Sequence, residues 1–342
     1  MMGKLASIES TISNIPKAEL HVHLAGTLEP SLMFEIAERN KIKLKYATVE
    51  ELKSKYRFEN LPDFLEILYE GAAVLVREED FYDVAYAYLE KAHSQNVLRA
   101  EIFFAPQSFM RRGTDFQVII NGIHWALVDA ERELGISAAL IMCLLRDLSL
   151  ESAMEALEKA VTYKEWIIGV GLGSAELNNP PSKFQAAFDQ ARGEGFKVVA
   201  HAGEEGPAEY VRQAIELLKV SRIDHGIHSL DDDTLVQTLV EKRIPLTVCP
   251  LSNVQLQVVD TIEDHPLKRM MDRGILVTVN SDDPAYFGGY INENYLAVHE
   301  ALNLTREDIY RLAKNSFEAA FISETQREEM LSRLDEHINR ET

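Results

Sequence analysis

Eight short segments rich in Val, Ile and Leu recur along the chain, each followed by an amphipathic stretch, and this alternation constrains the fold most. They read as strands over 19–24, 98–104, 137–143, 166–172, 197–201, 222–225, 244–249 and 275–281. Little polar alternation interrupts them, as expected of parallel strands covered on both faces. The intervening stretches have helical spacing. In 116–134 the apolar positions include Val118, Ile119, Ile123, Ala126 and Leu127, and in 149–163 they are Ala153, Leu157, Ala160 and Val161. The stretch 207–220 opens with Pro207 at a first helical position and Glu209 in the first turn, both favourable at a helix start. Stretches 232–242 and 267–273 complete the inner series. Eight such units predict an α/β fold, a (β/α)8 TIM-type barrel, as a single domain over 1–342. The surplus length falls in a helical insertion, about 30–97, with helices over 61–76 and 79–96, and in two or three C-terminal helices, about 293–342. One of these, over 305–316, is capped by Thr305. A doubly wound open sheet is the alternative, because alternation alone does not prove closure.

Composition narrows the class. The 342 residues carry 35 Lys and Arg against 55 Asp and Glu, a formal charge of −20, with 46% hydrophobic residues. That balance is ordinary for a soluble globular protein, and a surface this acidic repels phosphate backbones, which argues against nucleic-acid partners. Cys143 and Cys249 cannot build a disulfide framework, and no CxxC exists. Residues 1–20 lack the apolar stretch of a signal peptide. The longest apolar run, 136–145, is half a membrane span, so no membrane partner is expected. A cytoplasmic protein follows as the simplest expectation.

The chemistry collects at strand ends. The first strand ends in His21-Val22-His23, the fifth in His201-Ala202-Gly203-Glu204, the sixth in Asp224-His225-Gly226 and the eighth in Ser281-Asp282-Asp283-Pro284. In a barrel, reacting groups come from the C-terminal ends of several strands. Alternation places His21 and His23 on one face. Two imidazoles, a third from strand five and a carboxylate from strand eight form a three-nitrogen, one-oxygen donor set. Such a set suits a borderline cation such as zinc, with water completing an open site. Singly, each motif also has an ordinary structural reading: a lone His-x-His is weak, and Asp-Asp-Pro can simply open a helix. Their coincidence on one rim is the signal.

Other signals fail. Gly169-Val170-Gly171-Leu172-Gly173 follows a strand, but position 176 is Glu where GxGxxG requires Gly. There is no GxSxG, Walker A or HExxH motif. Strand four lacks the Lys that would bridge two metals, which favours one. Cys249 reads as core, and His93, His124, His228, His265, His299 and His337 as structural or solvated.

These motifs resemble the adenosine/adenine deaminase family within the amidohydrolase superfamily. The resemblance runs from Pro16 to about Asn315, through HVHLAGTLEP (21–30), HAGEEGP (201–207), RIDHGIH (222–228), PLTVCPLSN (245–253) and VNSDDPAYFGGY (279–290). GVGLGSAELNNPPSKF (169–184) is closest to the bacterial and fungal adenine deaminase branch. The resemblance implies one Zn2+ held by His21, His23, His201 and Asp282. It further implies Glu204 as a proton shuttle at purine N1, with a raised pKa, and His225 as the group orienting the attacking oxygen. Asp283 would bond the imidazole side of the purine, with Gly173 and Ser174 also at the substrate. The implied reaction turns adenine into hypoxanthine and ammonia, with a small-molecule 6-aminopurine as the partner.

Three positions depart from the family's pattern. Ala25 replaces an acidic residue, Gly173 replaces the Asp of GVGLD, and Ala105 replaces a carboxylate after strand two, whereas Glu101 is retained. Losing a polar group matched to substrate shifts specificity strongly. The readings therefore stay open between adenine, adenosine and an N6-substituted adenine. Outside that mechanism stand a catalytically silent purine-binding protein and another single-metal amide or ester hydrolase. Nothing in the sequence fixes an oligomeric state.

Overall fold

Eight parallel strands pair in strictly sequential order: β1 (Lys17–His23), β2 (Val97–Phe104), β3 (Ser137–Leu145), β4 (Ile167–Gly173), β5 (Lys197–Ala202), β6 (Arg222–His225), β7 (Leu246–Val248) and β8 (Val277–Val279). The computed structural model describes residues 7–341; residues 1–6, on which part of the leader reading rests, lie outside it. A doubly wound sheet would reverse its strand order at a switch point, so sequential pairing decides for the barrel. The ladder is unbroken from Arg99↔Ser137 to Phe104↔Met142 between β2 and β3. It thins to Gly169↔Lys197 and Val170↔Val198 between β4 and β5.

Closure is made just past β8. Val22 bridges Asp282, His23 N donates to Asp282 O at 2.8 Å, and Asp282 N donates to His21 O at 3.0 Å. The seam of the barrel therefore runs through three of the candidate metal ligands.

Helices wrap the outside much as the spacing predicts. The helix Phe116–Leu134 ends at Gly135, whose φ of +71° suits a residue without Cβ. Thr305 Oγ1 accepts from Asp308 N at 3.2 Å, capping Arg306–Ala319. Between β1 and β2 the chain forms helices Pro30–Asn40, Val49–Lys53, Leu61–Ala72 and Glu78–Ser94. The C-terminal part adds Ile291–Leu302, Arg306–Ala319 and Glu324–Glu341.

Three local expectations change. Pro207 precedes its helix as N-cap, and Ala208–Gln213 widens into a π turn over Ala214–Leu218. β7 and β8 are three residues each, shorter than read from composition. The reason lies in their backbone donors: Ile244 N and Ile275 N close the preceding helices onto Leu239 O and Met270 O, and Ser281 N is taken by Glu19 Oε1 at 2.8 Å.

The lower end of the barrel is sealed by charge. Buried Arg222 pairs with buried Glu101 at 2.7 Å and stacks over the Phe321 ring at 4.5 Å, while Phe321 N donates to Glu101 at 2.6 Å. Water is thus excluded from below, and the upper rim is left as the open face. No helix among the described residues is long and apolar enough to cross a membrane.

Candidate active site

The closure seam places His21 Nε2 and His23 Nε2 each 3.3 Å from Asp282 Oδ1. From β5, His201 brings its Nε2 to 3.1 Å from His23 Nε2. Four-coordinate zinc with bonds of about 2.0–2.1 Å has ligand atoms roughly 3.3–3.4 Å apart, and these separations match that spacing. Two neutral imidazole lone pairs facing one another at 3.1 Å also repel unless a cation or proton lies between them. The donor set fits a divalent ion.

The hydrogen-bond network fixes which nitrogens are bare. Thr247 Oγ1 donates to Asp224 Oδ1 at 2.9 Å. Its hydroxyl proton is thereby committed, so it can only accept from His21 Nδ1 at 3.0 Å. The other oxygen, Asp224 Oδ2, lies 3.3 Å from His201 Nδ1. His21 consequently turns an unprotonated Nε2 into the site, the arrangement a ligating histidine requires, and the carboxylate oxygen beside His201 Nδ1 favours the same tautomer there. Burial raises the Asp224 pKa, but His201, His21 and Arg222 outweigh it and hold the carboxyl well below its usual range. His201 is pushed down to about 4, mainly by burial, so it is neutral at pH 7. Sequence reasoning placed Asp224 among the strand-end groups without giving it a role and passed over Thr247. The RIDHG block contained the first, but only the register His201↔Asp224 reveals its place.

His225 and Asp282 both adopt left-handed backbone, each at φ +64°, as does Ser174 at +74°. Non-glycine residues held there cost on the order of 1–3 kcal/mol each and cluster at functional sites. His225 Nε2 lies 3.5 Å from Glu204 Oε2 and 3.9 Å from Asp282 Oδ2. Burial and then the charge of His21 push the His225 pKa well below its ordinary value. Glu204 is 3% exposed, and burial, followed by the charges of Asp282, Glu176 and Glu205, pushes its carboxyl well above the usual range. Asp283 shifts the same way, through burial and then Asp282. Its Oδ1 has no hydrogen-bond partner among the described residues. A Cβ at position 26 would fall 1.9 Å from that oxygen, so Gly26 is required where Asp283 stands.

Glu204, Asp282 and Asp283 face one narrow cavity, with about 60 Å³ open to the centre of a water molecule. The helix Leu61–Ala72 lies over it, contributing Leu61, Phe64, Leu65, Leu68 and Tyr69 to its wall. Tyr69 OH lies 3.2 Å from Ser174 Oγ, linking this helix to the loop after β4. Ala25 and Ala105 line the cavity, as Ser174 does. Gly173 is not among the lining residues: Cys143 Sγ lies 2.6 Å from where its Cβ would be. The missing side chain at 173 therefore opens no space.

Cys249 and three of the other histidines have other partners. Cys249 is buried beside His225 and Asp282, with Sγ 3.7 Å from Thr247 O, and burial raises its thiol pKa, so it stays protonated. His124 stacks on Trp166 at 3.8 Å, His299 Nδ1 meets Leu304 O at 2.8 Å, and His228 pairs with Asp231 at 2.9 Å.

The Adenosine deaminase family profile matches residues 16–337. The chain belongs to the adenosine deaminase family. Among members of this family it is 56% identical to the adenine deaminase of Crocosphaera subtropica over 323 residues, which is 94% of this chain and 99% of that protein. The crystal structure of the adenine deaminase from Arthrobacter aurescens superposes with a TM-score of 0.94 at 45% identity, covering 95% of this chain and 99% of that one. An amidohydrolase from Burkholderia ambifaria with bound Zn has a TM-score of 0.90 at 26% identity, covering 99% of this chain and 96% of that one.

Proposed function

We propose that this protein, acting as one barrel domain, hydrolyses adenine to hypoxanthine and ammonia with one Zn2+ held by His21, His23, His201 and Asp282. The observation that carries the reading is the pairing of two buried carboxyls, Glu204 and Asp283, in one narrow cavity beside that donor set, both pushed towards the protonated form by burial and neighbouring carboxylates. A purine offers acceptors at N1 and N7, and two carboxylic acids are matching donors. When bound, the ion lowers the pKa of a coordinated water towards about 7 and so supplies a nucleophile at neutral pH. Every other step belongs to the chain. As oxygen bonds to C6, the C6–N1 π pair moves onto N1 and takes the proton of Glu204. His225, neutral and 3.5 Å from Glu204, orients the attacking oxygen. The proton left on that oxygen passes through Glu204 to the amino group, the C6–N bond breaks, ammonia leaves and a C6 carbonyl remains; the other proton of the attacking water returns Glu204 to its acid form. Asp283 fixes the ring from its imidazole side.

The relatives named adenine deaminase support this choice of substrate. So does the wall of the cavity, which is largely apolar through Leu65, Leu68, Phe104 and Ile119 and offers ribose hydroxyls few partners beside Tyr69, Ser108 and Ser174. A second reading is favoured by Ala25 and Ala105, which extend that apolar wall: an adenine with an apolar N6 substituent. The net charge of −20 argues against nucleic-acid partners, and the two free cysteines agree with a cytoplasmic site of action.

Ammonia release by the zinc-loaded protein, measured against adenine, adenosine, deoxyadenosine and N6-alkyladenines, is the test. Adenine should be turned over best. No ammonia from any of them sinks the reading, and a clear preference for an N6-alkyl purine replaces it with the second.

A further inference from the structure

Four consecutive amides behind the candidate proton shuttle converge on one carboxylate. Glu176 Oε1 accepts from Gly203 N at 2.8 Å, and Oε2 accepts from Glu204 N, Glu205 N and Gly206 N at 3.0, 2.9 and 2.8 Å. The Glu176 side chain is wholly buried and sits three residues beyond β4. The segment 203–206 leaves β5 without joining a helix or another strand, so its donors have no ladder to satisfy them. Glycines at both ends fit this purpose. A Cβ on Gly206 would fall 2.6 Å from Glu176 Oε1, and Gly203 has φ +72° with Val211 2.6 Å from its would-be Cβ. A second brace ties the same two loops: Arg146 donates to His201 O at 2.6 Å and to Asn179 O at 2.8 Å, and Asn179 N donates to Glu176 O at 3.1 Å.

Only an acceptor-only group with two oxygens can take all four bonds. A carboxylate does so, whereas an amide of the same size would turn an NH2 against N–H donors. The bonds all run to the main chain, which leaves the side-chain oxygens of Glu204 free for the cavity. We infer that Glu176 is a positioning residue for deamination: it gathers the amides of 203–206 and so holds the Glu204 side chain where it can exchange a proton with the ring. This rests on the proposed function, because it names what aims the shuttle of that reaction.

Misplacing a reacting group by about 1 Å costs roughly 10²-fold in rate, and groups acting through one another are strongly non-additive. Steady-state kinetics on zinc-loaded Glu176→Gln, Glu176→Asp, Glu204→Gln and the Glu176→Gln/Glu204→Gln double variant, with metal content and backbone hydrogen exchange, test the inference. Glu176→Gln should lower kcat for adenine about 10²-fold with KM within about threefold and zinc retained. Exchange at 203–206 should quicken. Glu176→Asp, which keeps two acceptors, should recover part of kcat, and the double variant should be no slower than Glu204→Gln. The inference is overturned if Glu176→Gln keeps its kcat, or loses zinc and kcat together. It also falls if the Glu176 substitution slows the Glu204→Gln background as much as it slows the wild type. Wild-type protein that releases no ammonia from adenine fails the functional reading first, before any variant is compared, and removes the reaction that Glu176 would serve.

Discussion

Glu204 and Asp224 do opposite work with the same functional group, and their surroundings decide which. Glu204 is buried near Asp282, Glu176 and Glu205 and holds its proton. Asp224 is buried against Arg222 and two imidazoles and gives its proton up. Glu204→Gln should therefore lower kcat by about 10²–10⁴-fold while zinc stays bound, since Glu204 touches none of the four donors; wild-type activity in that variant removes it as the shuttle. Asp224→Asn acts on the metal instead. An amide there keeps only one acceptor and turns its NH2 against either Thr247 or His201 Nδ1, so the tautomer of His21 or of His201 is released, and zinc affinity should fall about 10–100-fold in competition with a chromophoric chelator. Unchanged affinity would falsify the tautomer argument. The donor set was legible in sequence because His-x-His and Asp-Asp-Pro sit at the ends of recognisable strands, where alternation sends side chains the same way. Asp224 and Glu176 were not, because their roles come from partners about twenty-five residues away across a strand pair or a loop. Glu176 was visible only as the residue that breaks a glycine pattern.

At the level of elements, composition located every strand but overran β7 and β8, because apolar residues flank a ladder as readily as they join one. What ended those strands was the competition for Ile244 N, Ile275 N and Ser281 N, which carries no compositional mark. The connection from β7 to the helix Leu267–Asp272 shows the same economy of donors. His265 accepts from Leu267 N through Nδ1 at 3.2 Å and meets Asn253 Oδ1 through Nε2, also at 3.2 Å. Only the neutral ring can do both, and burial lowers its pKa to about 4. The unfolded chain, with an ordinary histidine pKa near 6.5, binds more protons between those values. Stability contributed by His265 is therefore present above about pH 6.5 and lost as pH falls towards 4, by up to about 3 kcal/mol. Denaturant midpoints at pH 7 and 4.5 should show a smaller acid loss in His265→Gln than in the wild type. Equal losses place the acid sensitivity elsewhere.

Across the whole molecule the donor set does more than gather ligands. His21 and His23 lie on β1, His201 on β5 and Asp282 at the closing bridge. The strand pairing thins to two register pairs between β4 and β5, as it does between β6 and β7, and to a single bridge at the closure; an ion held by all four ties β1 to β5 and to that bridge, and so spans the first and last of these lines. The sealed lower end, with Arg222 and Glu101 buried at 2.7 Å, gives no comparable hold on the upper rim. An ion that binds only the folded state stabilises it by RT ln(1 + [L]/Kd), about 2.7 kcal/mol at a hundredfold excess over Kd. Thermal melts should therefore shift by a few degrees between chelator and buffered zinc, rising with the logarithm of free zinc. The amides of His23 and Asp282, whose bonds form the seam, should exchange faster in the metal-free protein. In Asp224→Asn the rise should begin at higher free zinc, because the same neutral Nε2 atoms serve both affinity and closure. Melts independent of zinc would show that the barrel closes without its ligands being tied together. The metal would then serve the chemistry alone.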